Sequence, residues 1–454
     1  MKLGSLPKTF DLRRMLLYSL LLAIITAGAI WTFLQFERVA PTENIQLPSD
    51  YISTKPFMVK ISDRGKGLKK VSISLLAAGK EYPIIAEQFE SSIRKKNITV
   101  TLSRRNLDLR DGPAVLRVLA VDRSYWGFFE GNKTLISKNV TVDLTPPNIQ
   151  LVIGDRYLNS GGSGVVVYRS SPDTVKSGVK LGHYFFPGTK GHLQDPNAYI
   201  VFFAHPYDTP ANEKALLVAE DAAGNSRQTN LSYSLRKSRL KKRTVTVTDS
   251  FIEKKVMPLL GLGLSQRDNL KELFIRVNRE LRQDNEAKIR KACEESAKEM
   301  LWSETFHQLS NSKVEANFAD ERTYVYKNET IDHAFHLGYD LAVTRNYPIE
   351  AANNGVVVFA DNLGIYGNTV IIDHGLGLCT LYSHMSLITV KVADTIKRKQ
   401  IIGKTGETGL ATGDHLHYAT LIHGVPVLPL EWWDAKWIKD NILNKIQNTP
   451  TGRL

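Results

Sequence analysis

From Met15 to Phe36 the chain carries no charged side chain. A run of this length crosses the hydrocarbon core of a bilayer, which takes about 20 residues. Inside a bilayer the backbone must satisfy its own hydrogen bonds, so the run is expected to be helical. Lys2, Lys8, Arg13 and Arg14 precede it, against a single acid, Asp11. Excess basic charge stays on the cytoplasmic side, so 1–14 reads as a cytoplasmic tail and 15–36 as a transmembrane helix. Trp31 and Phe33 suit the outer interface. The C-terminal bulk then lies outside an inner membrane, in the periplasm. The alternative is a signal peptide cleaved near Ala27-Gly28-Ala29. The apolar run continues past that point to Phe36, which favours a retained anchor. Both readings export the protein.

With 454 residues the chain has room for about three domains. Two cysteines, Cys293 and Cys379, exclude a disulfide framework, and buried free thiols are expected. From 41 to 235 short alternating runs recur between turns, as in 71–75, 98–102 and 114–120. This pattern predicts two antiparallel β-sandwich modules, 41–147 and 148–235, meeting near Thr145-Pro146-Pro147. Residues 114–122 and 215–221 look like the same late strand ending in an acid, and both stretches resemble bacterial immunoglobulin-like modules. A spacer role is expected for them. A basic run, 236–243, opens a connector over 236–312. Leu270, Leu273, Phe274, Val277 and Leu281 share a helix face, so 265–309 is expected to be helical, with Ser265 and Asp268 at its start. The formal net charge of +13 suits anionic wall polymer or lipid headgroups. Export argues against nucleic acid as a partner.

The chemistry is concentrated in three short segments: His336-Leu337-Gly338-Tyr339-Asp340, Tyr382-Ser383-His384, and His415-Leu416-His417. A catalytic zinc takes three protein ligands and keeps a position for water, and imidazole and carboxylate are suitable donors. Residues 418–422 are β-rich and follow the turn Thr412-Gly413-Asp414. A strand there would place His415 and His417 on one face. His336 and Asp340 fit a loop entering a strand. His333, His374 and His423 read as surface or turn histidines; His183, His192, His205 and His307 read as structural.

These three segments, in this order, resemble the LytM/lysostaphin-type zinc metallopeptidases, the M23 class of peptidoglycan endopeptidases. Residues 352–359, 367–375 and 401–406 resemble the intervening strands and turns. The resemblance covers roughly 317–429 and implies an antiparallel-β peptidase domain, assigned here to 313–440. It implies His336, Asp340 and His417 as ligands to Zn2+, with His384 and His415 as the catalytic pair. It implies a peptidoglycan peptide as substrate. Asp414 stands where this class often has proline. The whole chain is thus expected to be a mainly β multidomain protein. It comprises the transmembrane helix, two sandwich modules, a helical connector and the metallopeptidase domain. Two alternatives remain open: a non-catalytic regulator of a cell-wall amidase, and a zinc protease acting on exported proteins. Partners among envelope proteins are also open.

Overall fold

The structure is a computed structural model that describes residues 12–47, 49–102, 109–236, 241–447 and 449. Lys2, Lys8 and Asp11 of the expected tail, and 237–240 of the basic run, lie outside the described residues. The apolar run forms one 24-residue helix, Leu12–Gln35, none of whose residues is buried. By length and composition it is apolar enough to cross a membrane. A helix that is apolar all round and buries none of its residues suits lipid rather than water.

The chain divides into two compact units. One runs to Pro146 and takes in Asp221–Asn225; the other comprises Pro147–Glu220 and the chain from Ser226 onward. In the first, a three-stranded sheet (Thr42–Gln46, Phe57–Ser62, Lys95–Val100) accompanies a five-stranded one. The latter is built from Tyr51–Ile52, Lys133–Val142, Gly112–Asp122, Leu68–Ala77 and Lys80–Ile93. Alternate residues turn inward because strand side chains have period 2. Val59, Ile61, Val71, Ile73, Leu116 and Val118 are fully or almost fully buried as a result. Each such side chain stabilises the fold by roughly 1.5–3 kcal/mol. The pairing is antiparallel apart from the short parallel contact of Tyr51–Ile52 with Thr141–Val142.

The second sandwich pairs Thr189–Lys190, Ala198–Ala204, Ser163–Ser170 and Ile149–Ile153 in one sheet. Tyr184–Pro187, Thr174–Leu181, Ala215–Asp221 and Ser226–Leu231 form the other. It differs from the expected spacer. Every residue of Ala198–Ala204 is buried, on both faces of the strand. Phe202 packs edge-on to Trp432, and Tyr207 meets Phe318 and Phe335. Phe202, Phe203, Tyr339, Tyr382 and Trp432 belong to one hydrophobic core. This sandwich is part of the body that holds the C-terminal domain.

The connector also departs from expectation. Helical turns occur earlier than expected, over Asp249–Leu259, and a longer helical stretch runs from Leu270 to Ala292. Asn269, in a left-handed conformation at φ 58°, precedes that stretch, rather than Ser265. Phe274 and Val277 bury its inner face. Beyond Cys293 the chain is not helical, because tertiary hydrogen bonds replace the i→i−4 ladder. Ser296 Oγ and Ala297 N donate to the Asp373 carboxylate at 2.6 and 2.8 Å. Leu301 N donates to His374 O and His307 N to Ala352 O. Trp302, Phe306 and Leu309 are buried as an extended strap. Part of the basic run also becomes structure, since Lys242–Val247 pairs in parallel with Glu321–Tyr326.

The C-terminal domain is built around an eight-stranded sheet. Its main order is Lys313–Ala316, Tyr339–Ala342, Leu416–Ile422, Leu378–Met385, Asn368–Asp373, Gly355–Asn362, Thr395–Ile396, with Val425–Val427 beside Leu416–Ile422. The two central strands are buried throughout. Leu378 and Tyr382 enter the core shared with the second sandwich, while Cys379 and Leu381 enter one shared with the connector helices. On Leu416–Ile422, Tyr418 and Ile422 face the first core, and Ala419 and Leu421 the second. Period 2 therefore turns His417 to the connector side. Cys293 and Cys379 are both buried and free.

Candidate metal and catalytic centre

The loop His336–Gly338 joins the strand Glu329–Phe335 to Tyr339–Ala342. Its glycine is a steric requirement: a Cβ on Gly338 would lie 2.5 Å from Tyr418 O and 2.7 Å from His417 Nε2. Register then places Asp340 opposite His417, and His417 opposite Ser383. Three donor atoms converge. His336 Nε2 lies 2.9 Å from Asp340 Oδ1 and 3.0 Å from His417 Nδ1, and His417 Nδ1 lies 3.0 Å from Asp340 Oδ1. His415 precedes the Leu416–Ile422 strand, bridged to Gly406, and its Nε2 is 3.4 Å from the same carboxylate oxygen. The His384 ring stands 4.9 Å from His415 and 5.8 Å from His417, centre to centre.

Backbone carbonyls orient these rings. A carbonyl can only accept, so a ring nitrogen facing one must carry the proton, which leaves the other nitrogen with its lone pair. His336 Nδ1 donates to Asn317 O at 2.9 Å, His384 Nδ1 to Thr408 O at 2.8 Å, and His415 Nδ1 to Gly413 O at 2.8 Å. The Nε2 atoms of all three are therefore basic. His384 holds its place with a φ of 62°, an uncommon conformation for a residue with a side chain. Arg322 Nη2 donates to Asp340 Oδ2 at 3.1 Å, leaving Oδ1 for the convergence point.

This donor set fits a metal ion. In the neutral ring the His336 Nε2 lone pair faces a carboxylate oxygen and a second imidazole nitrogen, an arrangement that a cation between them satisfies. Two imidazole nitrogens and one carboxylate oxygen match the preferences of zinc. The hydrogen bond from His336 to Asn317 is the kind of outer contact that orients metal-binding histidines. The protein field points the same way. Burial would raise the Asp340 carboxyl, but the imidazoles that face it, His336 first and then His415 and His417, hold it well below the usual carboxylate range. Burial pushes His417 down to about 4 despite Asp340. Burial, then repulsion from His415 and His417, pushes His384 well below the ordinary histidine value. Burial also opposes a charge on His415, but the hydrogen bond to Asp340 and its charge lift it above that value.

All five residues line one cleft of about 400 Å³, whose other walls include Phe251, Phe274 and Arg282 of the connector and Tyr366. Arg322, the Asn317 carbonyl and the connector wall were not singled out from sequence. None of them lies in a recognisable spacing, and only folding brings them to the cleft. Asp414 removes nothing from the site; its Oδ2 accepts from Asn346 N at 3.0 Å and ties two loops together. His333 is exposed, as expected, and His423 sits in a turn with φ 48°. His374 is different: it is fully buried, bonded to Asn354 O and Thr380 Oγ1, and burial pushes it down to about 4. It is a core residue, because its strand end is covered by the 293–312 strap.

Residues 334–429 match Peptidase family M23, so the C-terminal part of the chain contains an M23 peptidase domain. The chain is 38% identical over 107 residues to the DD-carboxypeptidase/endopeptidase Mpg of Neisseria meningitidis serogroup B, covering 23% of this chain and 25% of that protein. It is 37% identical over 118 residues to the peptidoglycan DD-endopeptidase ShyA of Vibrio cholerae, covering 26% and 27%. The chain thus spans about a quarter of the length of these curated relatives. Among solved structures it is similar to the catalytic domain of the antimicrobial peptidase lysostaphin from Staphylococcus simulans. There the identity is 26%, the TM-score 0.25, and the coverage 29% of this chain and 98% of that one.

Proposed function

We propose that the chain is an exported, membrane-anchored zinc metalloendopeptidase that hydrolyses peptide cross-links of peptidoglycan. The observation that carries this reading is the convergence of His336 Nε2, Asp340 Oδ1 and His417 Nδ1 beside two further histidines in one cleft. When bound there, zinc polarises a carbonyl and lowers the pKa of its water toward ~7. The chain's own groups do the rest. Asn317 and Arg322 hold His336 and Asp340 in their binding orientations. His415, nearest the ligand set, takes the proton from the attacking water through Nε2. His384, once protonated, donates to the developing oxyanion. All five positions are filled, which favours catalysis over a purely regulatory role. Relatives named as peptidoglycan endopeptidases support a wall peptide as substrate. The helix Leu12–Gln35 supports anchoring in the cytoplasmic membrane, with the domain in the periplasm.

The test is digestion of purified sacculi by the full chain in detergent, with and without chelator, read by mass spectrometry. Chelator-sensitive loss of cross-linked dimers is the expected result. Intact sacculi with zinc bound would refute wall hydrolysis. Cleavage in a panel of exported proteins, or stimulation of an amidase, would then identify which alternative holds.

A further inference from the structure

The first β module holds a second cluster of acids, remote in sequence from the peptidase motifs and made of oxygen donors alone. Glu37 follows the apolar helix, Asp63 follows the strand Phe57–Ser62, and Asp122 ends the strand Gly112–Asp122. Each offers an oxygen within 4.8 Å of the others. Asp122 is fully buried and well satisfied, accepting from Ser124 N, Asn132 N and Asn132 Nδ2. Asp63, only 3% exposed, is not. Its Oδ2 accepts from Gly65 N and Gly67 N, while its Oδ1 is buried with no partner among the described residues. Glu37 repeats the pattern: Oε2 accepts from Lys66 N at 2.9 Å, and Oε1 is buried with no partner among the described residues.

Two orphan carboxylate oxygens beside a third buried carboxylate are costly. An unsatisfied buried acceptor forfeits its hydration, and like charges this close repel strongly in a low dielectric. Burial first, and also the charges of Asp63 and Asp122, raise the Glu37 carboxyl above its usual range, although the Lys66 amide opposes them. Glu37 lies directly against Gly65, where a Cβ would fall 1.7 Å from Glu37 Oε2. Hard divalent cations take such donor sets, and calcium in particular accepts several carboxylate oxygens in irregular geometry.

We propose that Glu37, Asp63 and Asp122 form a calcium-binding site. The ion fastens the segment leaving the apolar helix to the first β module. The loop after Asp122 is part of that joint: Tyr125 N donates to Gln35 O at 2.8 Å, and Phe36 packs against Tyr125 and Phe129. Binding therefore orders the collar of the helix, independently of the peptidase centre.

The test is calorimetric titration of the full chain in detergent micelles with calcium chloride, in buffer freed of divalent ions. Wild type should bind one ion with a Kd of about 10⁻³ M or tighter. Glu37→Gln and Asp63→Asn should each weaken binding about ten-fold or more, since affinity follows ligand charge. Glu37→Gln alters a half-exposed residue and keeps the fold testable by circular dichroism. His417→Ala should leave the calcium titration unchanged. Absence of binding by wild type up to about 10 mM calcium would overturn the proposal. So would undiminished binding by both carboxylate variants, or its loss in His417→Ala.

Discussion

The two β-sandwiches come from similar sequence patterns yet do different work. In the first, strands such as Phe57–Ser62 alternate buried and exposed, and its core of Val59, Ile73 and Leu116 closes within the module. In the second, Ala198–Ala204 is buried at every position, and Phe202 reaches Trp432 of the peptidase domain. Glu431 and Trp432 complete the joint: the carboxylate accepts from Asn159 Nδ2, Ser163 N and Ser163 Oγ, and the Trp432 indole donates to Ser163 Oγ. An alternating strand needs one apolar neighbour; a continuously apolar one needs two. A module's independence is thus written in the outer face of its strands.

The largest loss of activity is expected where neither sandwich is touched. Asp340→Ala or His417→Ala should abolish both zinc content and sacculus digestion, while calorimetric melting of both sandwiches persists. If either variant also melted early, the centre would be scaffolding for the second sandwich, and the division drawn here would fail. His384→Ala should keep the metal and lower kcat by on the order of 10²–10⁴-fold. Full activity in that variant would remove His384 from the mechanism.

Trp432→Ala tests the shared core directly. It should cost about 3–5 kcal/mol and lower the melting transition of the catalytic body. Leu116→Ala, in the first sandwich, should cost about 2–5 kcal/mol in that module's transition and leave digestion intact. Equal effects of the two on the catalytic transition would show that the sandwiches are not different after all.

The smallest effect concerns pH. Burial raises Glu431 from 4.5 to about 7, against hydrogen bonds from Ser163 and Asn159. A carboxyl whose folded pKa is raised binds its proton more tightly in the native state. Its stabilising contribution is full below 4.5 and is lost as the pH rises through about 7. Glu431→Gln should flatten this part of the stability profile, measured by denaturant unfolding across that window. An unchanged profile would exclude Glu431 as the joint's titrating group.

The helix Leu12–Gln35, the alternating strands of both sandwiches and the histidine segments were legible in the chain because each is local. An uncharged run, a period of 2 and a ligand spacing depend only on neighbouring residues. Helix over 265–309 was also a local reading, and it failed beyond Ala292. There Asp373 and the His374 carbonyl, distant in sequence, supply better partners for the backbone than the next turn of helix would. His374 was misplaced on the surface for the same reason, since the strap that covers it is far away in the chain.

The sequence by itself determined which side chains could hold a metal, where the apolar helix lies and that the modules are built of strands, since donor chemistry and periodicity are properties of residue types. Tertiary structure alone decided that Arg322 meets Asp340 and the Asn317 carbonyl meets His336, that the second sandwich joins the body of the peptidase domain, and that Glu37, Asp63 and Asp122 meet. Such meetings depend on register and on the packing of distant strands, where a shift of one residue would turn every side chain to the opposite face.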